Sequence, residues 1–263
     1  MSRLSDAFAR LRADRRGGLV TYLTAGDPDA DRSVALLVAV ARAGADVLEV
    51  GVPFSDPLAD GPVIQRASER ALAAGTSLKT VLEIVRRVRA EVETPIVLFT
   101  YANPVIRMEP SAFARSAADA GVDGVLILDY PVEESAPLRA PIVAAGLDPI
   151  FLISPTTTDE RIRASAALGG GFLYVISRLG VTGVRDRLPD DVDRLMQRVR
   201  RSSDLPVALG FGISSPALVA QACRVADAAV VGSALVNVVA QHGAAPDGCE
   251  RASEYVRWLK NDL

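Results

Sequence analysis

The sequence predicts a single-domain (β/α)8 TIM barrel over residues 1–263, with one extra helix at the N-terminus. Two observations carry that prediction. Eight short aliphatic or β-branched runs recur between turn residues, and helix-length amphipathic segments separate them. A chain of 263 residues is also of the length that such a barrel needs. The runs fall at 19–24, 47–52, 95–101, 124–129, 149–153, 172–177, 206–211 and 228–232. They are apolar almost throughout, which predicts parallel strands covered on both faces.

Helical segments are expected at 29–43, 78–92, 111–120 and 133–145, among others. Ser215 before Pro216 reads as an N-cap with proline in the first turn, and Thr157 with Glu160 has capping-box spacing. Ala43-Gly44-Ala45-Asp46 and Ala120-Gly121-Val122-Asp123 read as helix ends turning into strands. A doubly wound sheet is disfavoured, because Gly26-Asp27-Pro28 after the first strand is no G-x-G-x-x-G turn. Gly169-Gly170-Gly171 precedes a strand and is explained by a turn. The intervals after strands 2 and 6 are longer than the others. Loops that follow strands build the active site of a barrel, so these two enlarged loops are where substrate or partner handling is expected.

Composition removes several classes of function. The net charge of -3 gives no basic face for nucleic acid, and no apolar run approaches the roughly 20 residues of a membrane span. The first six residues, Met1 to Asp6, hold no apolar signal core, so a cytoplasmic chain without a leader is expected. Cys223 and Cys249 are too few for a disulfide framework and lack metal-ligand spacing. The single histidine, His242, sits in a polar stretch near the C-terminus and reads as a surface residue. Proton transfer then falls to carboxylates, tyrosines or lysines, with no metal.

Glu49 stands inside the apolar run of strand 2, on the same face as Val47 and Gly51. Glutamate is rarely buried unless paired or functional, and Gly51 beside it would leave room for a ligand. A barrel-internal ion pair or a helix-facing salt bridge is the alternative. The stiff loop that follows, Pro53-Phe54-Ser55-Asp56-Pro57-Leu58-Ala59-Asp60-Gly61-Pro62, offers Asp56 and Asp60. Asp60 either caps the helix starting at Pro62 or faces Glu49 across the barrel mouth as a second carboxylate. Glycines end the last two strands, in Gly210-Phe211-Gly212-Ile213-Ser214 and Gly232-Ser233-Ala234, where many barrels hold a phosphate. The stretch from Ser177 to Arg185, with Gly180 and Gly183, suits either a closing lid or a plain surface loop.

Residues 48–62 closely resemble the signature of tryptophan synthase alpha subunits. Four further segments resemble that family in the same order: Tyr101-Ala102-Asn103-Pro104, Asp129-Tyr130-Pro131-Val132-Glu133-Glu134, Gly180-Val181-Thr182-Gly183 and Gly210-Phe211-Gly212-Ile213-Ser214-Ser215. The resemblance implies retro-aldol cleavage of indole-3-glycerol phosphate to indole and glyceraldehyde 3-phosphate. Glu49 would be the general acid and base, and Asp60 would stabilise positive charge at the indole nitrogen. Tyr22, Tyr101 and Tyr174 would lie near the substrate. Phe211, Gly212, Gly183, Gly232 and Ser233 would hold its phosphate, and Thr182 would reach Asp60 from the lid.

The resemblance also implies that no cofactor sits on this chain. Pyridoxal phosphate would belong to a beta subunit, which receives indole in an α2β2 assembly. Pro53, Asp56, Asn103, Pro131 and Glu134 would face that partner. Leu179 and Tyr22 depart from the residues most frequent in the family. A stand-alone lyase that releases free indole, and a non-catalytic activator of a beta subunit, are the alternative functions.

Overall fold

The structure is a computed structural model that describes residues 2–177, 192–210 and 212–263. Among these, eight parallel strands close into a barrel in chain order, with β1 paired to both β2 and β8. The strands are β1 (Gly18–Thr24), β2 (Val47–Gly51), β3 (Ile96–Thr100), β4 (Gly124–Ile127), β5 (Asp148–Ile153), β6 (Leu173–Ile176), β7 (Val207–Gly210) and β8 (Ala228–Val231). The first half holds helices α1 (Arg3–Ala13), α2 (Ala30–Arg42), α3 (Pro62–Ala73), α4 (Leu78–Arg89), α5 (Ala102–Met108) and α6 (Pro110–Ala120). The second half holds α7 (Ala136–Ala144), α8 (Asp159–Leu168), α9 (Val192–Ser202), α10 (Pro216–Cys223), α11 (Ser233–His242) and α12 (Gly248–Leu259). The predicted barrel and the predicted extra N-terminal helix are both present.

The two faces of each strand meet different partners, which explains their unbroken apolar character. Outward residues such as Leu48, Val50, Ile96 and Leu98 join a core shared with the surrounding helices. Inward residues Val20, Val47, Val97, Leu126, Ile150, Phe172, Ala208 and Ala228 form a second core inside the ring. Helix α1 closes the N-terminal end of the ring by inserting Leu4, Phe8 and Leu11, and Phe8 meets Phe172 at 5.4 Å between ring centroids. Gly124 is closely approached at that seal, since a Cβ there would lie 2.9 Å from Leu4 Cδ1 and 3.1 Å from the Asp148 carbonyl oxygen. The floor is therefore packed.

The helix-to-strand turns carry a recurring lock. Gly44 and Gly121 take the positive φ expected of helix ends, at 112° and 89°. The aspartate two residues later turns back to the preceding strand. Asp46 Oδ2 accepts the Leu19 amide at 2.9 Å, Asp123 Oδ2 accepts that of Ile96 at 2.8 Å, and Asp227 Oδ2 accepts that of Val207 at 2.7 Å. Each acid also meets a cation: Arg16 and Lys260 at Asp46, Arg3 and Arg89 at Asp123, Arg200 at Asp227.

Two local expectations change. Thr158, not Thr157, caps α8 by accepting the Arg161 amide at 3.3 Å. Thr157 is drawn away because its hydroxyl accepts the Ser154 amide at 2.9 Å and closes the end of β5. The segment predicted helical from Glu133 begins its α-helix only at Ala136, after a 3-10 turn over Val132–Glu134. Pro137 lacks an amide and belongs in a first turn, which sets that start. The long interval after β2 is a loop plus two helices, α3 and α4. That after β6 falls largely on 178–191, outside the described residues. Ser215 caps α10 as expected, with Pro216 following.

Asp123 is 6% exposed and serves two arginines and an amide. Asp123→Ala is expected to destabilise the fold by about 3 kcal/mol, read by denaturant or thermal unfolding. A loss below about 0.5 kcal/mol would show that the lock is ornamental.

Candidate active site

Above the packed floor the ring opens into a cavity of about 370 Å³ at the C-terminal ends of the strands. Its apolar wall includes Phe99, Leu128, Leu152, Ile176 and Val230, with Leu58 and Ile64 from the segment after β2. Its polar side is made of Asp60, Tyr22, Tyr174, Gly212, Gly232 and Ser233. An apolar cavity with a few convergent polar groups suits a small organic ligand with apolar and polar parts.

Glu49 is the least expected residue of the interior. It lies on β2 beside Tyr22 of β1 and Val97 of β3, is 0% exposed, and neither carboxyl oxygen has a hydrogen-bond partner. Among the described residues the internal ion pair is therefore absent. Burial alone pushes the Glu49 carboxyl up to about 8, so its neutral form prevails at pH 7. Glu49 lies below the cavity lining rather than on it. Gly51 does not leave room for a ligand either. The Tyr22 ring fills that space, and a Cβ on Gly51 would lie 2.1 Å from the Tyr22 hydroxyl oxygen. Tyr22 packs edge-on against Phe99 at 5.1 Å, its hydroxyl 3.4 Å from Thr24 Oγ1.

Asp60 is 6% exposed and does not cap α3; Gly61 is the N-cap, and no side chain bonds there. Instead the Tyr101 hydroxyl donates to Asp60 Oδ2 at 3.0 Å and accepts the Ala59 amide at 3.1 Å. Burial raises the Asp60 carboxyl to about 6, with the Tyr101 bond pulling the other way. The two carboxyls thus titrate on opposite sides of neutrality. Tyr101 is not on the lining; it stacks on Phe54 at 5.0 Å and stands behind Asp60.

At the opposite wall, Gly212 adopts φ 81° and Gly232 leads into α11. The Ser233 hydroxyl, in the first turn of α11, is buried without a partner. A helix start and an unpaired hydroxyl beside glycine backbone suit an anion. Thr182, Gly183 and Phe211 lie outside the described residues.

Pro53 and Asn103 line a second cavity of about 650 Å³ with Phe54, Lys79 and Arg107, while Asp56, Pro131 and Glu134 are exposed. The sequence reading missed the apolar wall. Strand alternation could have found it, since Phe99, Leu152 and Ile176 each lie two residues beyond an inward core position. Among the described residues, no group of three His, Cys, Asp or Glu could hold a metal, and no helix is long and apolar enough to cross a membrane.

Comparison with known proteins agrees with this geometry. The family model for the tryptophan synthase alpha chain matches residues 8–262. The alpha chain of Burkholderia thailandensis is 50% identical over 262 residues, covering 99% of this chain and 96% of its own. That of Solibacter usitatus is 49% identical over 242 residues, covering 92% and 91%. Among solved structures, a tryptophan synthase from Mycobacterium tuberculosis superposes with a TM-score of 0.92 at 38% identity, covering 100% of this chain and 98% of that one. The alpha subunit from Legionella pneumophila gives 0.91 at 36% identity, covering 100% and 98%. The chain belongs to the tryptophan synthase alpha chain family.

Proposed function

We propose that Glu49 and Asp60 divide the work of the alpha-chain reaction, cleavage of indole-3-glycerol phosphate to indole and glyceraldehyde 3-phosphate. The observation that carries the reading is one neutral, unpartnered carboxyl under the cavity and a second, more acidic one on its wall. The indole ring fits the apolar wall. Asp60, as carboxylate, accepts the ring N–H, and Glu49 gives its proton to the ring carbon that bears the glycerol chain. The ring becomes cationic, and Asp60 stabilises that charge. The bond to the glycerol chain then breaks and its electron pair restores the aromatic ring. The adjacent hydroxyl becomes the aldehyde carbonyl as its proton passes to the Glu49 carboxylate, which ends the turnover protonated. Glu49 is not among the residues that line the cavity, so the reaction needs its carboxyl to move within reach of the ring.

The phosphate of the substrate is assigned to Gly212, Gly232 and Ser233, supported by the unpaired hydroxyl. Tyr174 and Tyr22 flank the ring. The chemistry asks for no cofactor on this chain. Its partner is a tryptophan synthase beta subunit that carries pyridoxal phosphate, in a cytoplasmic α2β2 assembly. Pro53, Asp56, Asn103, Pro131 and Glu134 are its docking residues. The neighbouring exposed side chains Leu58 and Ile106, 92% and 53% accessible, support an apolar contact there.

Indole release from indole-3-glycerol phosphate tests the reading. Glu49→Gln and Asp60→Asn are each expected to lower kcat by about a hundredfold or more. Unchanged release by Glu49→Gln would remove the mechanism. Asp60 must be ionised and Glu49 must start protonated. Hence kcat/KM should rise with pH through about 6 and fall through about 8. Adding a cognate beta subunit is expected to raise the rate; full activity without it would favour a stand-alone lyase.

A further inference from the structure

Asp60 is held by a chain of contacts that begins outside the cavity. Its carboxylate has one hydrogen-bond donor among the described residues, the Tyr101 hydroxyl. Tyr101 is the N-cap of α5, but its side chain does not cap that helix. The task falls to a third acid. The Ala102 amide, first in α5, donates to Asp129 Oδ1 at 2.7 Å. Asp129 lies just past β4, where the Leu128 amide still bonds the Thr100 carbonyl at 2.9 Å. The Asp129 contact therefore continues the β3–β4 ladder beyond the ends of both strands and fixes the backbone on each side of Tyr101.

We propose that Asp129 is a positioning residue for the lyase reaction, fixing the start of α5 so that Tyr101 holds the Asp60 carboxylate toward the substrate. The proposal rests on the reading of Asp60 as the partner of the ring nitrogen. The Tyr101 hydroxyl sits at the far end of a rigid side chain, so a small turn of its backbone is magnified there. Phe54 supports one ring face, and the Ala59 amide saturates the hydroxyl as acceptor, which leaves its proton for Asp60. Among the described residues the titratable groups around Asp60 are Tyr101 at the start of α5, Tyr22 on β1 and Tyr174 on β6. Only Tyr101 is bonded to it, so loss of the Asp129 contact should register at Asp60 through Tyr101.

The test measures kcat, KM and the pH profile of indole release by the full chain. Asp129→Ala is expected to lower kcat about tenfold, with KM within about twofold, and to move the acidic limb to higher pH as Asp60 loses its donor. Tyr101→Phe should do the same. The double variant should be no worse than Tyr101→Phe alone, because both act on one contact. Asp129→Asn keeps an accepting oxygen and should recover most of the kcat that alanine loses. Losses that multiply in the double variant would overturn the proposal. So would an Asp129→Ala protein that melts earlier yet keeps its kcat and acidic limb. Asp60→Asn in the same assay separates the two levels. If it retains kcat, the reading of the site fails; if it is inactive while the other losses multiply, only the positioning role fails.

Discussion

A ring of parallel strands closed on itself has no edge, so its interior can be relieved only at its two ends. In this chain the ends are treated oppositely. The N-terminal end is filled by Leu4, Phe8 and Leu11 of α1, and the C-terminal end stays open. A carboxyl on the inner face at the boundary loses water from below without gaining a partner from above. The character of Glu49 follows from this placement alone, since its two immediate neighbours across the ladder are Tyr22 and Val97.

Asp60 answers a different constraint. It comes from a proline-rich loop rather than from the ring, and its surroundings are assembled from three segments: Phe54 and Ala59 of its own loop, Tyr101 at the start of α5, and Asp129 beyond β4. Burial raises both carboxyls, and at Asp60 the Tyr101 hydrogen bond pulls back against it. Two acids of similar intrinsic strength thereby reach different protonation states within one cavity.

The barrel was legible in the sequence because eight apolar runs and their turn residues agree with one topology at every level. Glu49 was legible because a charged residue inside such a run has few innocent explanations. Asp60 was not resolved by local pattern, since an aspartate two residues before Pro62 is equally a helix cap, and only the tertiary approach of Tyr101 decides between the two. Gly51 misled for a similar reason. A missing side chain announces that something approaches closely, but not whether it is a ligand or, as here, the ring of Tyr22. Asp46 and Asp123 stood in the sequence only as parts of helix ends turning into strands, whereas their carboxylates, like that of Asp227, bond amides at the feet of neighbouring strands, a pairing that only the closed ring creates.

The α1 plug has a bearing on where protons travel. With Leu4, Phe8 and Phe172 packed below it, the Glu49 carboxyl has no aqueous route through the feet of the strands. Exchange with solvent must pass upward through the same opening that admits the substrate. On the proposed reading of the site, a seated substrate stands between the acid and bulk water, and a hydrogen that Glu49 takes from one molecule stays until that molecule's fragments leave. Once they have left, the opening is clear and that hydrogen exchanges with water before the next ring arrives. Closing the floor thus ties the acid's contact with solvent to whether the cavity is occupied.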